Sequence, residues 1–395
     1  MQLRPPRRCL RLLLRPWVQA LILYLLTFGG LLPLLCHRRL HSRYFWREAH
    51  LRRLTAESLE RSRAKGEEAV RYFQEEKDAE AREDDRGDRG LQLAIAIVTT
   101  VRTEGSEYHY YLQVASSFHR LARGCPWCRL LACNVHPRPQ EHREALTASR
   151  LIPTVQRFGP EGEEEEEEGR READNRFEKE KQDYLFCLRK ALNIYQPRHV
   201  LLVEDDALPE EDVLEVLRDL LERRMASPAL RDALYLKLYH PERLQGYLHP
   251  EPTRVLEWLG LGCLVGGPLS GLYQLGTGRH WARAFPPLAA FAMLAAELAG
   301  RHYLLELRRL SPQLYALAPA SECCTPAMLY SAPSARRVLG YLGGVHCRQG
   351  YAKDTALYAL LREKGERAWV LEPNAVTHIG VYSTLRGVIA NPSLL

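Results

Sequence analysis

The sequence predicts an α/β fold with a transmembrane helix near its N-terminus and a transmembrane helical hairpin inserted in its middle. Two patterns carry this prediction. Apolar β-branched runs alternate with helical segments after residue 90, and long uncharged apolar runs begin at residues 17 and 258. Of the 395 residues, 46% are hydrophobic and 26% are charged, which excludes a disordered or collagen-like chain. A mean hydropathy of -0.32 excludes a many-pass membrane protein. The net charge of +6 comes with no run of alternating basic and aromatic residues, so we expect no nucleic-acid partner.

The first apolar run, residues 17–36, contains no charged residue. About 20 residues at a rise of 1.5 Å each are enough to cross the hydrocarbon core of a bilayer. A cleaved signal peptide is the alternative, but its apolar region is shorter, and here the Leu-rich sequence continues to Cys36. We therefore expect a cytoplasmic tail at 1–16 and an uncleaved transmembrane anchor at 17–36. Arginines flank the run on both sides, so the positive-inside rule does not set its orientation.

The spacing of the ten cysteines bears on the cellular compartment. The motif Cys125-Pro-Trp-Cys128 is compatible with a redox motif, half of a zinc site or a small-loop disulfide. No second ligand pair at zinc spacing accompanies it, so disulfides in an oxidising lumen are the simplest interpretation. Unpaired buried thiols in a cytosolic domain are the alternative. The residues leave the connectivity open, and we take Cys125–Cys128 and Cys133–Cys187 as working pairs.

The soluble part of the chain alternates between predicted strands and helices. Charged sequence at 37–89 predicts a helical stem, and the acidic run at 161–168 predicts a solvated loop. Strands are predicted at 91–100, 130–135, 199–203 and 233–239, and helices at 106–122, 174–192 and 210–225. This alternation predicts an α/β sheet with right-handed crossovers. In such sheets ligands bind at the carboxyl ends of the strands.

A second apolar region interrupts this pattern at 258–300. An uncharged, Gly-rich stretch at 258–278 is followed by a short polar turn and a second apolar stretch at 284–296. We predict a transmembrane hairpin in which Gly262, Gly266, Gly267 and Gly271 let the two helices approach closely. Two buried core helices are the alternative, favoured by Glu297 at the end of the second stretch. Because a hairpin crosses the bilayer twice, it leaves a first catalytic part at 90–257 and a second at 301–395 on one side.

Three carboxylates stand where a predicted buried strand ends. Glu204, Asp205 and Asp206 directly follow the apolar residues 200–203. Their mutual repulsion is costly unless a cation neutralises it. Hard divalent ions such as Mg²⁺ or Mn²⁺ accept oxygen ligands and leave positions for substrate phosphates, which points to a metal-held nucleotide diphosphate. A cluster that caps the following helix is the alternative.

Several nucleotide and hydrolase motifs are absent from the sequence, which narrows the choice of chemistry. The chain has no G-x-G-x-x-G after its first strand, no P-loop and no G-x-S-x-G. A strand-end acidic triplet in a membrane-anchored lumenal domain resembles the GT-A nucleotide-sugar glycosyltransferases and their D-x-D motif. The resemblance implies that Glu204, Asp205 and Asp206 bind the donor and that Glu204 and Asp206 hold Mn²⁺ or Mg²⁺. The departure is Glu204 at the first position, so the metal-binding residue stays open, with Asp206 favoured.

Two further segments resemble GT-A positions. Thr100, Val101 and Arg102 end the first strand and form a candidate contact loop for uracil and ribose. Asp354 precedes a helix at a position that resembles the general base of inverting enzymes, and a helix-capping Asp is the alternative. His378, in the segment 377–383, resembles the C-terminal His of branching N-acetylglucosaminyltransferases, which implies a metal ligand. A core histidine is the alternative.

The layout of the whole chain resembles the family of GalNAc transferases that modify GPI anchors. The features that carry this resemblance are the anchor at 17–36, the triplet at 204–206, the hairpin at 258–300, the adjacent Cys323–Cys324 and the motif at 377–383. It implies inverting, metal-dependent transfer of GalNAc from UDP-GalNAc to a core mannose of GPI-anchored proteins. It also implies a Golgi membrane protein whose catalytic domain lies in the lumen, with the hairpin holding that domain against the bilayer. In this family Cys323–Cys324 would form a disulfide near the donor site, and Pro326 and Ala327 would line the sugar pocket.

Two other functions remain compatible with the residues. One is a different lumenal UDP-sugar transferase, for example a GlcNAc transferase acting on N-glycans, although such an enzyme needs only one anchor. The other is a non-catalytic membrane adaptor, which predicts no metal-dependent binding of a UDP-sugar. The choice between GalNAc and GlcNAc depends on a few pocket contacts that the sequence does not reveal.

Overall fold

The computed structural model describes residues 16–76, 92–158, 173–225, 227–249, 251–383 and 388–389. Three sequence-based expectations lie wholly or partly outside these residues, namely the tail at 1–16, the end of the stem at 77–89 and the acidic loop at 161–168. The chain divides into two compact units. The first combines Met1–Leu54 with Glu242–Leu307, and the second combines Thr55–Pro241 with Arg308–Leu395.

The strands and the helices are each numbered in the order in which they occur along the chain. The strands are β1 (Leu93–Thr99), β2 (Cys128–Asn134), β3 (Thr154–Gln156), β4 (His199–Glu204), β5 (Ala207–Pro209), β6 (Tyr235–Lys237), β7 (Ala316–Pro319), β8 (Ala327–Ser331), β9 (Ala368–Glu372), β10 (Val376–His378), β11 (Tyr382–Ser383) and β12 (Val388–Ile389). The helices are α1 (Pro16–Leu26), α2 (Leu32–Cys36), α3 (Arg47–Glu75), α4 (Tyr110–Arg123), α5 (Arg143–Ala148), α6 (Arg176–Tyr195), α7 (Val213–Asp219), α8 (Pro228–Arg231), α9 (Pro252–Thr277), α10 (Trp281–Ala299), α11 (Arg301–Leu305), α12 (Ala332–Gly343) and α13 (Lys353–Glu363).

Among the residues described in the first unit, three helical segments are long and apolar enough to cross a membrane. They are Trp17–Cys36, Pro252–Thr277 and Trp281–Ala299. The first runs through α1, a π-helical turn and α2 without a break. Their apolar side chains face outward, and Leu264 is 73% exposed and Leu275 is 85% exposed. The alternative of two buried core helices at 258–300 is therefore wrong, because a core helix would bury these leucines.

The predicted close approach of the hairpin helices holds for two of the four glycines. A Cβ at Gly262 would lie 2.7 Å from Cγ of Met293, and one at Gly266 would lie 2.7 Å from Cα of Ala289. Gly267 and Gly271 have no atom within 4 Å of such a Cβ, so the prediction is wrong for them. The reason is helical periodicity, which puts positions four apart on one face and their neighbours on another.

Glu297 does not make α10 a core helix. Its carboxylate is only 5% exposed, accepts a 2.9 Å hydrogen bond from Nη2 of Arg43, and accepts another from the backbone N–H of Tyr247. A buried carboxylate near the end of an apolar helix is tolerated when it has such partners. Glu297 therefore stabilises the end of the hairpin within its own unit.

The second unit is built on an eight-stranded mixed sheet in the order β3-β2-β1-β4-β8-β6-β9-β7. The first four strands in this order are parallel to one another. Strand β8 runs antiparallel between β4 and β6, and β7 runs antiparallel at the far edge. The sequence correctly predicted β1, β2 and β4 of the parallel half and missed β3, and the sheet is mixed because β7 and β8 enter it from the segment after the hairpin.

Each face of the sheet has its own apolar core. Residues of α4, α7 and the stem helix α3 pack against one face. Residues of α6, α12 and α13 pack against the other face. Strand β1 is shared by both cores, and residues 93–97 are fully buried. Such two-sided burial is why β1 reads as a continuous apolar run in the sequence.

The stem is part of this packing. Its helix α3 buries Phe73, Ala69 and Gly66. At Gly66 a Cβ would stand 2.3 Å from the carbonyl oxygen of Tyr108, so the backbone of the two segments meets directly. Side-chain N–H of Gln113 donates to the carbonyl oxygen of Ser62 at 3.0 Å. From Thr55 onward the stem helix is therefore a packed element of the second unit.

Candidate active site

The acidic triplet lies where β4 ends, at the carboxyl edge of the parallel strands. Asp205 is 6% exposed and Asp206 is 5% exposed. Both face the guanidinium of Arg102, which follows β1, the neighbour of β4 in the sheet. Arg102 donates to Oδ1 of Asp205 from Nε at 3.1 Å, and to Oδ2 of Asp206 from Nη2 at 2.7 Å. One cation of the chain thus bridges two buried carboxylates.

The surroundings of the two aspartates shift their pKa values in opposite directions. Burial raises the pKa of Asp205 above its ordinary value, and Arg102 offsets this only in part. Burial also acts against the ionisation of Asp206, but His378 and Arg102 together hold the pKa of Asp206 well below its ordinary value. Burial would lower the pKa of His378, yet the Asp206 carboxylate raises it. Of the two aspartates, Asp206 therefore holds its negative charge more firmly.

One oxygen of Asp206 has no hydrogen-bond partner in the part of the chain that the structure describes. Oδ2 accepts from Arg102 and lies 3.3 Å from Nε2 of His378, whereas Oδ1 is buried with no hydrogen-bond partner among the described residues. Both oxygens of Asp205 are engaged, because Thr99 donates to Oδ2 at 3.3 Å. A buried carboxylate oxygen left without a donor is a position that a cation can occupy. Asp206 Oδ1, beside the His378 ring, is therefore the candidate position for a cation in this site.

Strand pairing brings His378 to this place. Strand β10 pairs with β5 so that His378 stands opposite Ala207, the residue that follows Asp206. The backbone N–H of Ile379 donates to the Asp206 carbonyl at 2.9 Å. Gly380 comes so close that a Cβ there would lie 2.1 Å from Oδ2 of Asp206. Only glycine fits at this position without moving the carboxylate.

Glu204 has a different environment from the two aspartates. Lys353 donates from Nζ to Oε1 of Glu204 at 2.7 Å and to Oε1 of Glu180 at 2.5 Å. Burial works against the charge of Lys353, but the two carboxylates raise its pKa above the ordinary value. The structure thus neutralises Glu204 with an ammonium group of the protein, although the sequence predicted it as a metal ligand.

The loop around Cys323–Cys324 lies beside the start of α13. Lys237 is 1% exposed and its Nζ donates to the carbonyl oxygens of Ser321, Glu322 and Cys323 at 2.7, 3.2 and 3.1 Å. The hydroxyl of Thr355 donates to Glu322 at 2.8 Å, which joins the loop to the first turn of α13. A buried lysine therefore holds three consecutive carbonyls of the loop in place.

Asp354 lies in the first turn of α13. The N-cap of this helix is Ala352, so the alternative of Asp354 as the helix cap is wrong. Its Oδ1 accepts from the backbone N–H of Thr355 at 2.9 Å, and its charge acts on buried Lys237. Asp354 is partly exposed, so its carboxylate can meet a ligand.

Pro326 and Ala327 lie at the start of strand β8, whereas the resemblance implied that they line the sugar pocket. The carbonyl oxygen of Pro326 accepts from the Glu204 N–H at 2.7 Å, and Ala327 is 0% exposed and pairs with Val203. Both are buried, because the segment enters β8 at Ala327, three residues after Cys324. Thr325 donates to Glu204 at 3.4 Å and is the residue of this segment that joins the acidic triplet.

A cavity of about 390 Å³ opens next to the triplet. Its volume falls in the range of small-molecule sites. The candidate contact loop Thr100, Val101 and Arg102 lines it together with Glu204 and Asp205. Further lining residues come from the ends of β2 and β1 and from α6 and α13, among them His136, Arg176, Lys179, Tyr184 and Lys353. The cavity thus combines a loop of polar atoms with cationic side chains at the carboxyl edge of parallel strands.

Comparison of the sequence with models of known protein families identifies the family of this chain. The profile described as GPI-N-acetylgalactosamine transferase PGAP4 matches residues 93–377, which is well over half of the chain. The chain belongs to the PGAP4 family. The matched range begins at β1 and ends in β10 at residue 377, so it contains the triplet, the hairpin and Asp354 and stops one residue before His378. The resemblance drawn from the sequence is confirmed at the level of this family of GPI GalNAc transferases.

In this PGAP4 family member the structure brings together most residues that the sequence singled out. Asp205, Asp206, Arg102 and His378 form one connected group, and Glu204, the neighbour of Asp205 in the chain, pairs with Lys353 instead. The three expected cysteine pairs are at bonding distance, namely Cys125–Cys128, Cys133–Cys187 and Cys323–Cys324. Sequence reasoning missed Lys353, Gly380 and Lys237. Two of these residues could have been found from their position in the chain, because Lys353 directly precedes Asp354 and Gly380 follows His378 by two residues.

A second group of metal-type side chains lies in the first unit. His41, Glu242 and His302 each place one ligand atom within 4.8 Å of the others. The His302 ring already donates from Nε2 to the carbonyl oxygen of Glu242 at 2.5 Å, and the His41 ring stacks on it at 4.3 Å between centroids. Hydrogen bonding and ring stacking account for this group, so we assign it a structural role.

Proposed function

We propose that this PGAP4 family member is a GT-A-type glycosyltransferase that transfers GalNAc from UDP-GalNAc, with inversion, to a core mannose of the GPI anchor. The observation that carries the proposal is the buried oxygen Oδ1 of Asp206, which has no partner among the residues that the structure describes. It lies beside His378, and a cavity of nucleotide-compatible size adjoins the same acidic triplet. The family match supports the transferred sugar and the GPI acceptor.

The donor nucleotide would occupy the cavity of about 390 Å³. In open α/β sheets the crevice outside the carboxyl ends of parallel strands is where nucleotides bind. Thr100 and the backbone of Val101 offer hydrogen-bonding groups to the uracil and ribose. Arg176 lines the same cavity and would supply positive charge toward a diphosphate, whereas Lys179, also in the lining, is paired with Asp183 at 2.6 Å.

We assign a divalent ion, Mn²⁺ or Mg²⁺, to Asp206 and His378. When bound, the ion would neutralise the diphosphate of the leaving UDP. Arg102 keeps Asp206 ionised and oriented, because its guanidinium engages Oδ2 and leaves Oδ1 free. Glu204 would act through Lys353, which holds it at the edge of the donor cavity.

Asp354 would act as the general base. Its carboxylate takes the proton of the acceptor hydroxyl as that oxygen forms a bond to C1 of GalNAc. The bond between C1 and the UDP oxygen breaks on the opposite face, which gives inversion, and UDP leaves. Lys237 and the loop at 321–323 stand beside Asp354 and fix the surroundings of the base.

The setting of this chemistry follows from the membrane helices and the cysteines. Three apolar helical segments would anchor the chain in a bilayer that also holds the lipid-anchored acceptor. Sharing a membrane raises the local concentration of enzyme and acceptor. Three disulfides fit the oxidising lumen of the secretory pathway, and we place the catalytic unit on the lumenal side of the Golgi membrane.

The metal and donor assignment is tested by Asp206→Ala in cells that lack the endogenous activity. We expect loss of GalNAc from the GPI glycans, measured by mass spectrometry, in a protein that is still expressed and folded, with a lower melting temperature because Arg102 and His378 lose a buried partner. The matched control is Asp232→Ala, because Asp232 is an exposed aspartate outside the site and should leave transfer unchanged. Full transfer by the Asp206→Ala protein contradicts the assignment.

The base is tested separately with Asp354→Asn in the purified protein. Calorimetry in the presence of Mn²⁺ should show unchanged binding of UDP-GalNAc, while turnover falls by about 10²- to 10⁴-fold. Normal turnover means that Asp354 has no role in proton transfer. The same calorimetry distinguishes a non-catalytic adaptor, which binds no UDP-sugar, and a GlcNAc transferase, which prefers UDP-GlcNAc.

A further inference from the structure

Glu180 lines the donor cavity, and no step of the proposed mechanism uses it. It lies in α6, and the side chains of Arg176, Lys179, Asp183 and Tyr184 from the same helix also line this cavity. Such positions, one turn apart, share one face of a helix. The face of α6 that carries Glu180 therefore meets the space proposed for the nucleotide sugar.

One oxygen of the Glu180 carboxylate has no hydrogen bond in the described part of the chain. Oε1 accepts from Nζ of Lys353 at 2.5 Å, whereas Oε2 is buried without a partner there. Four acidic side chains line the donor cavity, and within the described ranges Glu180 is the only one of them with a buried, unpartnered oxygen. A buried acceptor without a donor is costly, so Oε2 suits a ligand group that donates a hydrogen bond.

The charges around Glu180 decide which kind of ligand group fits. Lys353 donates to both Glu180 and Glu204, so two carboxylates share one ammonium group. The carboxylates would repel a diphosphate, and a metal ion would stand close to the ammonium group. A sugar hydroxyl is neutral and can donate to Oε2. These surroundings therefore favour the sugar over the diphosphate and its ion.

The neighbours of Lys353 place the sugar at the same end of the cavity. Lys353 directly precedes Asp354, the proposed base, which would act at C1 of the transferred sugar. Its ammonium group also lies 5.1 Å from the centre of the Tyr184 ring, one turn after Glu180 in α6. The loop at 100–102, proposed for uracil and ribose, follows β1 instead. Glu180 thus lies on the side of the donor cavity where the base would act.

We infer that Oε2 of Glu180 accepts a hydrogen bond from the axial 4-hydroxyl of the donor's GalNAc and thereby selects this sugar over GlcNAc. This inference rests on the proposed transferase function. The two sugars differ only in the direction of the 4-hydroxyl, so an acceptor held on one side of the ring distinguishes them, and Lys353 holds this one. With GlcNAc, Oε2 would stay buried without a donor. A site built to bind a substrate hydroxyl rejects the analogue that lacks it there.

The experiment measures Kd by calorimetry for UDP-GalNAc, UDP-GlcNAc and UDP, using the full-length protein in detergent with Mn²⁺. We expect the wild-type protein to bind UDP-GalNAc more tightly than UDP-GlcNAc. Glu180→Gln keeps a carbonyl oxygen for Lys353 and replaces Oε2 by an NH₂ group, which cannot accept. It should raise the Kd of UDP-GalNAc about 10- to 100-fold and leave the Kd values of UDP-GlcNAc and UDP unchanged. Glu180→Asp keeps the charge but withdraws it by one methylene group, and should act in the same direction.

The matched control is Glu215→Gln, the same exchange at an exposed glutamate of α7 that does not line the cavity. It should match the wild type for all three nucleotides. The inference is overturned by equal wild-type Kd values for the two UDP-sugars, or by an unchanged Kd of UDP-GalNAc in Glu180→Gln. An equal loss for both UDP-sugars, or weaker binding of UDP in both Glu180 variants, overturns it as well. A wild-type protein that binds neither UDP-sugar contradicts the proposed function instead.

Discussion

Gly380 offers the most direct test of how the site is built. A Cβ at this position would lie 2.1 Å from Oδ2 of Asp206, 2.9 Å from its Cγ and 3.2 Å from its Cβ. The carboxylate cannot turn away freely, because it is buried and held by Arg102 at 2.7 Å. The substitution Gly380→Ala therefore acts on Asp206 without removing any polar group.

The size of the effect follows from the geometry. Because real Cβ contacts essentially never fall below 3.0 Å, the Asp206 carboxylate or the backbone at Gly380 must move by about 1 Å. A misplacement of about 1 Å of a group that positions the substrate costs about 100-fold in rate. We expect Gly380→Ala to lower kcat/KM by about 100-fold, equal to about 2.7 kcal/mol of transition-state stabilisation.

The assay is transfer of GalNAc to a GPI-type acceptor by purified protein, with kcat and KM measured separately. Gly340→Ala is the matched control, since Gly340 lies in α12 with no atom within 4 Å of an added Cβ. This control should keep full activity, because alanine is favoured over glycine inside a helix. Both variants should bind UDP without metal equally well.

A Gly380→Ala protein with wild-type kcat/KM would refute the reasoning. Either the position of Asp206 would then be unimportant for transfer, or the close contact would be absent in solution. A protein that loses its fold as well as its activity gives no support either, so the melting temperature is measured on the same samples. Only loss of activity with a retained fold supports the argument.

Three further changes test other parts of the structure. Lys353→Met leaves Glu204 without its buried cation, so we expect a free energy of unfolding lower by about 3–5 kcal/mol, seen as a lower melting temperature. Gly266→Val forces the hairpin helices apart and should destabilise by about 1–3 kcal/mol, whereas Gly267→Val, which faces open space, should melt like the wild type. Lys237→Met strips three loop carbonyls of their donor and should lower kcat in the transfer assay while UDP binding persists.

The elements of the parallel half were predictable because their signal is local. Strand β1 is buried on both faces, so almost every residue in it is apolar, and β4 shows the same pattern before Glu204. The apolar runs of the membrane helices are local in the same sense. Strand β8 could not be assigned to the sheet in this way, because its antiparallel place between β4 and β6 depends on partners far away in the chain.

The sequence also placed the acidic triplet at a strand end, but it could not separate the roles of the three carboxylates. Those roles depend on partners that are 103 to 149 positions away in the chain, Arg102 for Asp205 and Lys353 for Glu204. Charge pairs across such distances leave no periodic trace in the sequence. Only the tertiary structure shows that, within the described ranges, one oxygen of Asp206 stays without a partner.

The stem also has some features that its sequence determines and others that only the tertiary structure decides. Its sequence by itself determined a charged helix after a membrane anchor, because helical propensity and apolar length are properties of neighbouring residues. The tertiary structure alone decided that this helix packs against the segment of Gln113 and forms a wall of a second cavity, of about 630 Å³, in the same unit. The physical reason is that burial of one helix face is set by the surface it meets, and that surface is assembled from segments that the chain order keeps apart.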